Sequence, residues 1–216
     1  MQPLALFDLD NTLVNLDEAF EAWAGEFVEE HGLGSEAARW LIALDRAGYP
    51  HREVFFAQVR NRFALSESVD ELWSRYRRRM PCLVRCRPEV KYGLSRLRES
   101  GWRVAIVTNG TADNQLGKIQ KTGLADVVDA YALSGIEGIR KPAMGLFEVA
   151  ARRCGMTLAG GGWMVGDHPV ADIAGGQAAG LRTVWIDRGS WPGHEHGADH
   201  VVADVLDAME ILHARW

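Results

Sequence analysis

The chain of 216 residues has little that would carry it into a membrane or onto an anionic polymer. It lacks any run of about 18 or more uninterrupted apolar residues, the least that a membrane-spanning helix needs. Its opening, Met1-Gln2-Pro3, has no basic stretch leading into an apolar segment, and Asp8 follows almost at once. Such a start does not read as a secretory signal, and a cytoplasmic protein is expected. Cysteine is scarce: Cys82, Cys86 and Cys154 are three in number and lack the paired spacing of a zinc site. Reduced, packed thiols are expected. Positive charge is also short. A net charge of -5 favours neither nucleic acid nor an anionic lipid surface. The one basic cluster, Arg75 with Arg77, Arg78 and Arg79, reads as a solvated helix face. Internal repeats and low-complexity tracts are absent.

What is present divides into two rhythms. The sequence is 47% hydrophobic, enough for a substantial core. It opens on Leu4-Ala5-Leu6-Phe7, a short run that is apolar throughout, as in a strand buried on both faces. Residues 16 to about 80 then repeat at helical spacing. Leu16, Phe20, Trp23 and Phe27 form one stripe, Phe55, Val59 and Phe63 a second, and Val69, Leu72, Trp73 and Tyr76 a third. Breaks at Gly32 to Gly34, at Gly48-Tyr49-Pro50 and near Ser66 predict about four helices. The aromatic stripes read as packing. From Pro88 the pattern alternates helix with strand, with strands expected at 104–107, 130–133, 163–165 and 183–186 and a helix at the C-terminus. Alternation of this kind implies a parallel sheet with helices on both faces. The expected organisation is an α/β core of residues 1–15 and 81–216, interrupted by a helical insert of residues 16–80.

Polar motifs fall just beyond the predicted strands. Asp8-Leu9-Asp10-Asn11-Thr12 follows the first and Thr108-Asn109-Gly110 the second. Arg140-Lys141-Pro142 lies in the connection beyond the third, and Gly166-Asp167-His168 follows the fourth. Ligands of open parallel sheets bind outside the carboxyl ends of the strands, so these segments should converge on one crevice. Asp8, Asp10 and Asp167 would gather three carboxylates there. Their mutual repulsion calls for a cation, and oxygen-only ligands suit Mg²⁺ beside a substrate phosphate. A carboxylate can attack phosphorus. Lys141 and the metal would neutralise the transferring phosphoryl group. Thr108 and the backbone N–H groups of Asn109 and Gly110 would hold its oxygens, the glycine permitting close approach. Taken singly, each motif also reads as an ordinary turn or helix cap. A calcium loop beginning at Asp8 is excluded, because Leu13 and Ala19 stand where glycine and glutamate are required.

Together these motifs resemble those of the haloacid dehalogenase superfamily. Its DxDxT motif is matched by Asp8, Asp10 and Thr12, its Ser/Thr by Thr108, its Lys-Pro by Lys141 and Pro142, and its GDxxxxD by Gly166, Asp167 and Asp172. The resemblance spans nearly the whole chain and implies a Rossmann-like core. The stretch from Val107 to Phe147 looks most like the nucleotidase-like and phosphoglycolate-phosphatase-like members. The insert between the first two motifs looks like a helical cap of the family's first type. The resemblance implies that Asp8 is nucleophile and metal ligand, and that Asp10 is acid/base with its carbonyl on the metal. Asp167 would be a further ligand, with Thr12 and Asp172 behind them. Ala171 departs from relatives that carry Asn or Asp there.

The expected activity is Mg²⁺-dependent hydrolysis of a small phosphorylated metabolite through an aspartyl-phosphate. Asp10 disfavours haloacid dehalogenation, since that branch typically lacks this aspartate. The phosphonate-cleaving branch needs a cap lysine, and no lysine precedes Lys91. A sugar phosphomutase remains an alternative, with Arg52 gripping a second phosphate; on its own, Arg52 reads more simply as a surface residue opening a helix. Tyr49, His51 and Arg52, in a loop between cap helices, are expected nearest the substrate. A catalytically silent scaffold of the same fold is opposed by the intact Asp8, Asp10, Lys141 and Asp167. His194, His196 and His200 read as a polar loop rather than a metal site.

Overall fold

The computed structural model describes residues 3–47, 52–191 and 197–214. It divides into two compact units, one of Met1–Asn15 with Arg85–Trp216 and one of Leu16–Val84.

The first unit is built on a parallel sheet. Its strands are β1 (Leu4–Phe7), β2 (Arg103–Thr108), β3 (Ala130–Leu133), β4 (Trp163–Gly166), β5 (Arg182–Ile186) and β6 (His200–Val202). They lie in the order β3-β2-β1-β4-β5-β6, every pair parallel. β1 is fully buried, which explains why its sequence is apolar without alternation. Leu4 and Leu6, with Ala105, Val107, Ala132 and Met164, form one core with Leu146, Phe147 and Ala150 of the helix Met144–Arg153. Side chains alternate along a strand, so Ala5, Phe7, Val104 and Ile106 face the other way. The helix Pro88–Glu99 packs against β2 and against the C-terminal helix Val205–Ala214. Pro88 opens that first helix, a position where its missing N–H costs nothing.

The order of strands reverses between β1 and β4, because the chain runs from β1 to β2 and β3 and then returns to the far side of β1. A crevice at such a switch point is where ligands of open α/β sheets bind. The sixth strand was not expected from the sequence. β6 has only three residues, half-exposed, so it gives no apolar run to read. It places His200 in the sheet, its ring stacked on Trp163 at 5.8 Å. His194 and His196 lie outside the described residues.

Among the described residues the second unit is four helices, Leu16–Glu30, Ser35–Arg46, Arg52–Phe63 and Val69–Leu83. Phe20, Trp23, Phe55, Phe56 and Tyr76 are buried together, with Trp23 edge-on to Phe56 and Tyr76. The last helix starts at a capping box, in which Ser68 and Glu71 satisfy each other's backbone N–H groups.

Phe147 is fully buried at the centre of the sheet-to-helix core. Replacing it with alanine should destabilise the protein by about 3–5 kcal/mol, as large-to-small changes of a buried Phe do. Chemical denaturation of Phe147→Ala against wild type checks this.

Candidate active site

The loop after β1 folds around one carbonyl. Thr12, Leu13 and Val14 all donate their backbone N–H to the Leu9 oxygen. Asn11 takes a left-handed conformation, φ 57°, which asparagine tolerates better than most residues. This turn leaves Asp8 buried and Asp10 partly open, with 21% of its side chain exposed. Thr12 is buried beside them, its hydroxyl oxygen without a hydrogen-bond partner.

Lys141 is fully enclosed and spends its donors inside the protein. Its ammonium reaches Asp8 Oδ1 at 2.5 Å, Asp172 Oδ1 at 2.6 Å and the Val107 carbonyl at 2.6 Å. An ammonium has three protons, so all are used. Burial works against this charge, but the Asp172 and Asp8 carboxylates outweigh it and hold the ammonium above the ordinary lysine range. Asn109 fixes the backbone that carries it. The side-chain amide of Asn109 accepts from Lys141 N at 2.9 Å and donates to Lys141 O at 3.0 Å.

Asp8, Asp167 and Asp172 each present an oxygen within 4.8 Å of the others. Burial is the largest cause that raises the Asp8 carboxyl, to about 7, although Lys141 pulls it down. Burial followed by Asp8 and Asp172 likewise raises Asp167 well above the usual carboxylate range. Asp172 sits on a π-helical turn, Pro169–Ala174, and accepts from the His168 N–H at 3.0 Å. Such turns are frequent at functional sites. Gly166 makes room for it: a Cβ there would lie 2.3 Å from Asp172 Oδ2. The spacing from Gly166 to Asp172 is therefore a packing requirement as well as a motif. Trp185 of β5 donates its indole N–H to the Asp167 carbonyl at 2.9 Å, fixing that backbone.

The Asp10 carboxylate turns to a different partner from the other three. Lys118 meets both its oxygens, at 2.8 and 2.9 Å, and Gln115 donates to Oδ2 at 3.0 Å. Gln115 also donates to Thr108 Oγ1 at 2.6 Å. The third member of the close carboxylate cluster is thus Asp172, and Asp10 is engaged by a lysine that the sequence reading passed over. Gln115 and Lys118 lie on the helix Ala112–Lys121, buried on the same face as Ile119. A polar residue at a position that helical periodicity assigns to the core was the available signal.

Ser134 opens a short helix, Ser134–Glu137, directly after β3. Its hydroxyl accepts from Gly110 N at 3.0 Å, and Gly135 packs hard against the same loop. Arg52 belongs to the helical unit. Its guanidinium pairs with Asp45 and lies 5.2 to 5.6 Å from the rings of Phe20, Phe55 and Tyr76. Tyr49 and His51 lie outside the described residues.

Around this crevice four carboxylates, Asp8, Asp10, Asp167 and Asp172, face two ammonium groups, Lys118 and Lys141. With all four carboxylates ionised, two negative charges are left over. The donors nearest that excess are all carboxylate oxygens, the set that a hard divalent cation takes.

These charges make the cation-free protein sensitive to pH. Asp8 titrates near 3.8 when unfolded and at about 7 when folded. The folded state therefore holds a proton that the unfolded chain has released, and stability falls as pH rises through that window. The cation-free protein should melt lower at about pH 7.5 than at about pH 5.5, and added Mg²⁺ should raise the melting temperature more at the higher pH. Calorimetry with and without the ion checks both. Gly135→Ala should also impair turnover, because its Cβ would lie 2.6 Å from Gly110 O and Ala112 N and must displace the loop beside Thr108. Steady-state kinetics of the variant checks this.

Comparison with known proteins identifies the family. The chain is 35% identical over 176 residues to a phosphoserine phosphatase of Thermus thermophilus, covering 81% of this chain and 60% of that protein. It is 33% identical over 209 residues to a ribulose-1,5-bisphosphate 5-phosphatase of Halopiger xanaduensis, covering 87% and 85%. The crystal structure of a HAD phosphatase from Thermococcus onnurineus superimposes with a TM-score of 0.67 at 25% identity, covering 98% of each chain. The profile of the haloacid dehalogenase-like hydrolases matches residues 5–186, and the chain belongs to that family.

Proposed function

We propose that this chain is a Mg²⁺-dependent phosphatase that hydrolyses a small phosphate monoester through a phosphorylated Asp8. The observation that carries the reading is the arrangement of Asp8. It is a buried carboxylate against Lys141, with oxygens of Asp167 and Asp172 within 4.8 Å and a second, separately held carboxylate two residues on. The two curated relatives above are named for small phosphate monoesters, which supports that substrate class.

Asp8, Asp167 and Asp172 would hold the cation, with the Asp10 carbonyl. When bound, the ion would supply charge neutralisation at the phosphoryl oxygens. The Asp8 carboxylate attacks phosphorus, and the bond from phosphorus to the leaving oxygen breaks. Asp10 gives that oxygen its proton. Water then attacks the phosphorus of phospho-Asp8, Asp10 takes the proton back, and phosphate leaves with Asp8 regenerated. Lys141 acts on charge and orientation, keeping Asp8 in place and offsetting negative charge around it. Because Gln115 already donates to the Thr108 oxygen, the Thr108 hydroxyl proton is left to donate to a phosphoryl oxygen. The backbone N–H groups after Thr108 belong to the same cradle, although Gly110 N is shared with Ser134.

The helical unit, Leu16–Val84, is the cap that reads the rest of the substrate. That role rests on its insertion between Asp8 and Thr108 in the chain. Its place of action is the cytoplasm, where Cys82, Cys86 and Cys154, none of them in a disulfide, stay reduced.

Screening nucleotides, sugar phosphates, phosphoserine and phosphoglycolate with Mg²⁺ and with EDTA tests the reading. Hydrolysis of at least one class should need the ion, and activity undiminished by the chelator would refute the metal's part. Asp8→Asn should abolish turnover while the protein still folds, since an amide is a poor nucleophile. Wild-type turnover in that variant would remove Asp8 from the chemistry.

A further inference from the structure

Lys118 is a cation that the phosphoryl chemistry above does not use. It lies on the helix Ala112–Lys121, and only 3% of its side chain is exposed. Burying an ammonium is costly unless it is paired and hydrogen-bonded. Here it is paired with one group, Asp10, and meets both carboxylate oxygens at 2.8 and 2.9 Å. Gln115, one turn earlier, is 1% exposed and donates to Asp10 Oδ2 at 3.0 Å. A carboxylate has about four lone-pair positions. Lys118 takes two and Gln115 one, which leaves one position at the open side of Asp10 for exchanging a proton.

The site beneath is shaped to permit this. A Cβ at Gly110 would lie 2.7 Å from the Gln115 side chain, so the glycine makes room for the clamp. Gln115 then joins Asp10 to Thr108, to which it donates at 2.6 Å. One amide group therefore spaces the proton-transfer group from the phosphoryl cradle. Proton transfer requires the acid within hydrogen-bond reach of the leaving oxygen, and a side chain as short as aspartate reaches only where its backbone and partners aim it.

We propose that Lys118, assisted by Gln115, is the positioning residue for Asp10: it holds the carboxylate at the angle from which its proton reaches the leaving oxygen. This deepens the phosphatase reading and rests on it. It has a consequence that a merely structural lysine would not have. Protonation of the leaving group matters most when that group is a poor one. Loss of Lys118 should therefore fall on substrates in proportion to how much they need the proton.

The test compares kcat/KM for 4-nitrophenyl phosphate with that for phenyl phosphate. The two substrates match in size near phosphorus. They differ in their leaving phenols, phenol itself titrating at about 10, like a tyrosine side chain, and 4-nitrophenol well below. kcat/KM reports steps up to phosphorylation of Asp8, where the leaving oxygen departs. The readout is the ratio of the two values. The fraction of folded enzyme cancels from that ratio, so a variant that folds poorly remains readable. In Lys118→Met the ratio should rise at least about tenfold over wild type, a modest part of the range that general acid catalysis contributes. Lys118→Arg, which keeps the charge and the donors, should bring it back most of the way. Gln115→Leu should raise it by less than Lys118→Met.

Equal losses on both substrates in Lys118→Met, or no loss on either, would overturn the proposal. Asp10→Asn separates the two levels of the argument. Wild type should hydrolyse both substrates, and Asp10→Asn should raise the ratio as Lys118→Met does. If wild type hydrolyses neither, the phosphatase reading fails. If wild type is active and Asp10→Asn raises the ratio while Lys118→Met does not, the phosphatase reading stands and the positioning role of Lys118 falls.

Discussion

The ion pair between Lys141 and the carboxylates of Asp8 and Asp172 is the contact on which the rest of the site depends. Bringing several carboxylates to one edge of a sheet, out of water, is strongly unfavourable without opposing charge. The protein supplies part of that charge from a lysine that itself lies in no strand or helix. Its position has to be imposed from outside, and the structure does so at both ends. Asn109 grips the backbone of Lys141, while the Val107 carbonyl takes the third ammonium proton. β2 thus places the counter-charge as firmly as it places Thr108.

A second pair, Lys118 with Asp10, stands beside the first, and the division between them is chemical. One lysine, Lys141, serves two carboxylates of the close cluster, Asp8 and Asp172. The other serves the carboxylate assigned to move protons. Two acidic groups two residues apart in sequence acquire different environments because the turn around the Leu9 carbonyl sends their side chains to different partners. Environment, more than residue type, sets such assignments.

The parts of this molecule that were legible in its sequence share a property: their signal is local. The buried strand Leu4–Phe7 shows as an uninterrupted apolar run, and the aromatic helices of residues 16–84 show as stripes at 3.6-residue spacing. The DxD turn and the Gly166-to-Asp172 spacing are likewise contained within a few residues. What escaped was set by contacts distant in the chain. β6 exists because β5 offers it an edge, and nothing in its three residues announces a strand. Lys118 looks like any lysine on an amphipathic helix until Asp10, more than a hundred positions earlier, is brought against it. Asp172 was visible as a motif residue, but its near-equal standing with Asp8 and Asp167 follows from the missing Cβ of Gly166.

Asn109 is followed by glycine, the pairing in which asparagine is chemically least durable. In an unstructured chain, the glycine nitrogen attacks the side-chain carbonyl, a succinimide ring closes, and ammonia is lost. In this loop both reacting groups are occupied. The amide of Asn109 is held at its oxygen and its nitrogen by Lys141, and the nitrogen of Gly110 donates to Ser134. Ring closure would have to break all of these bonds at once. The carboxylate it would eventually leave could no longer donate to the Lys141 carbonyl, and the new negative charge would sit beside a crevice already short of positive charge. The same bonds that place the lysine therefore also govern how long an ageing protein molecule keeps it in place.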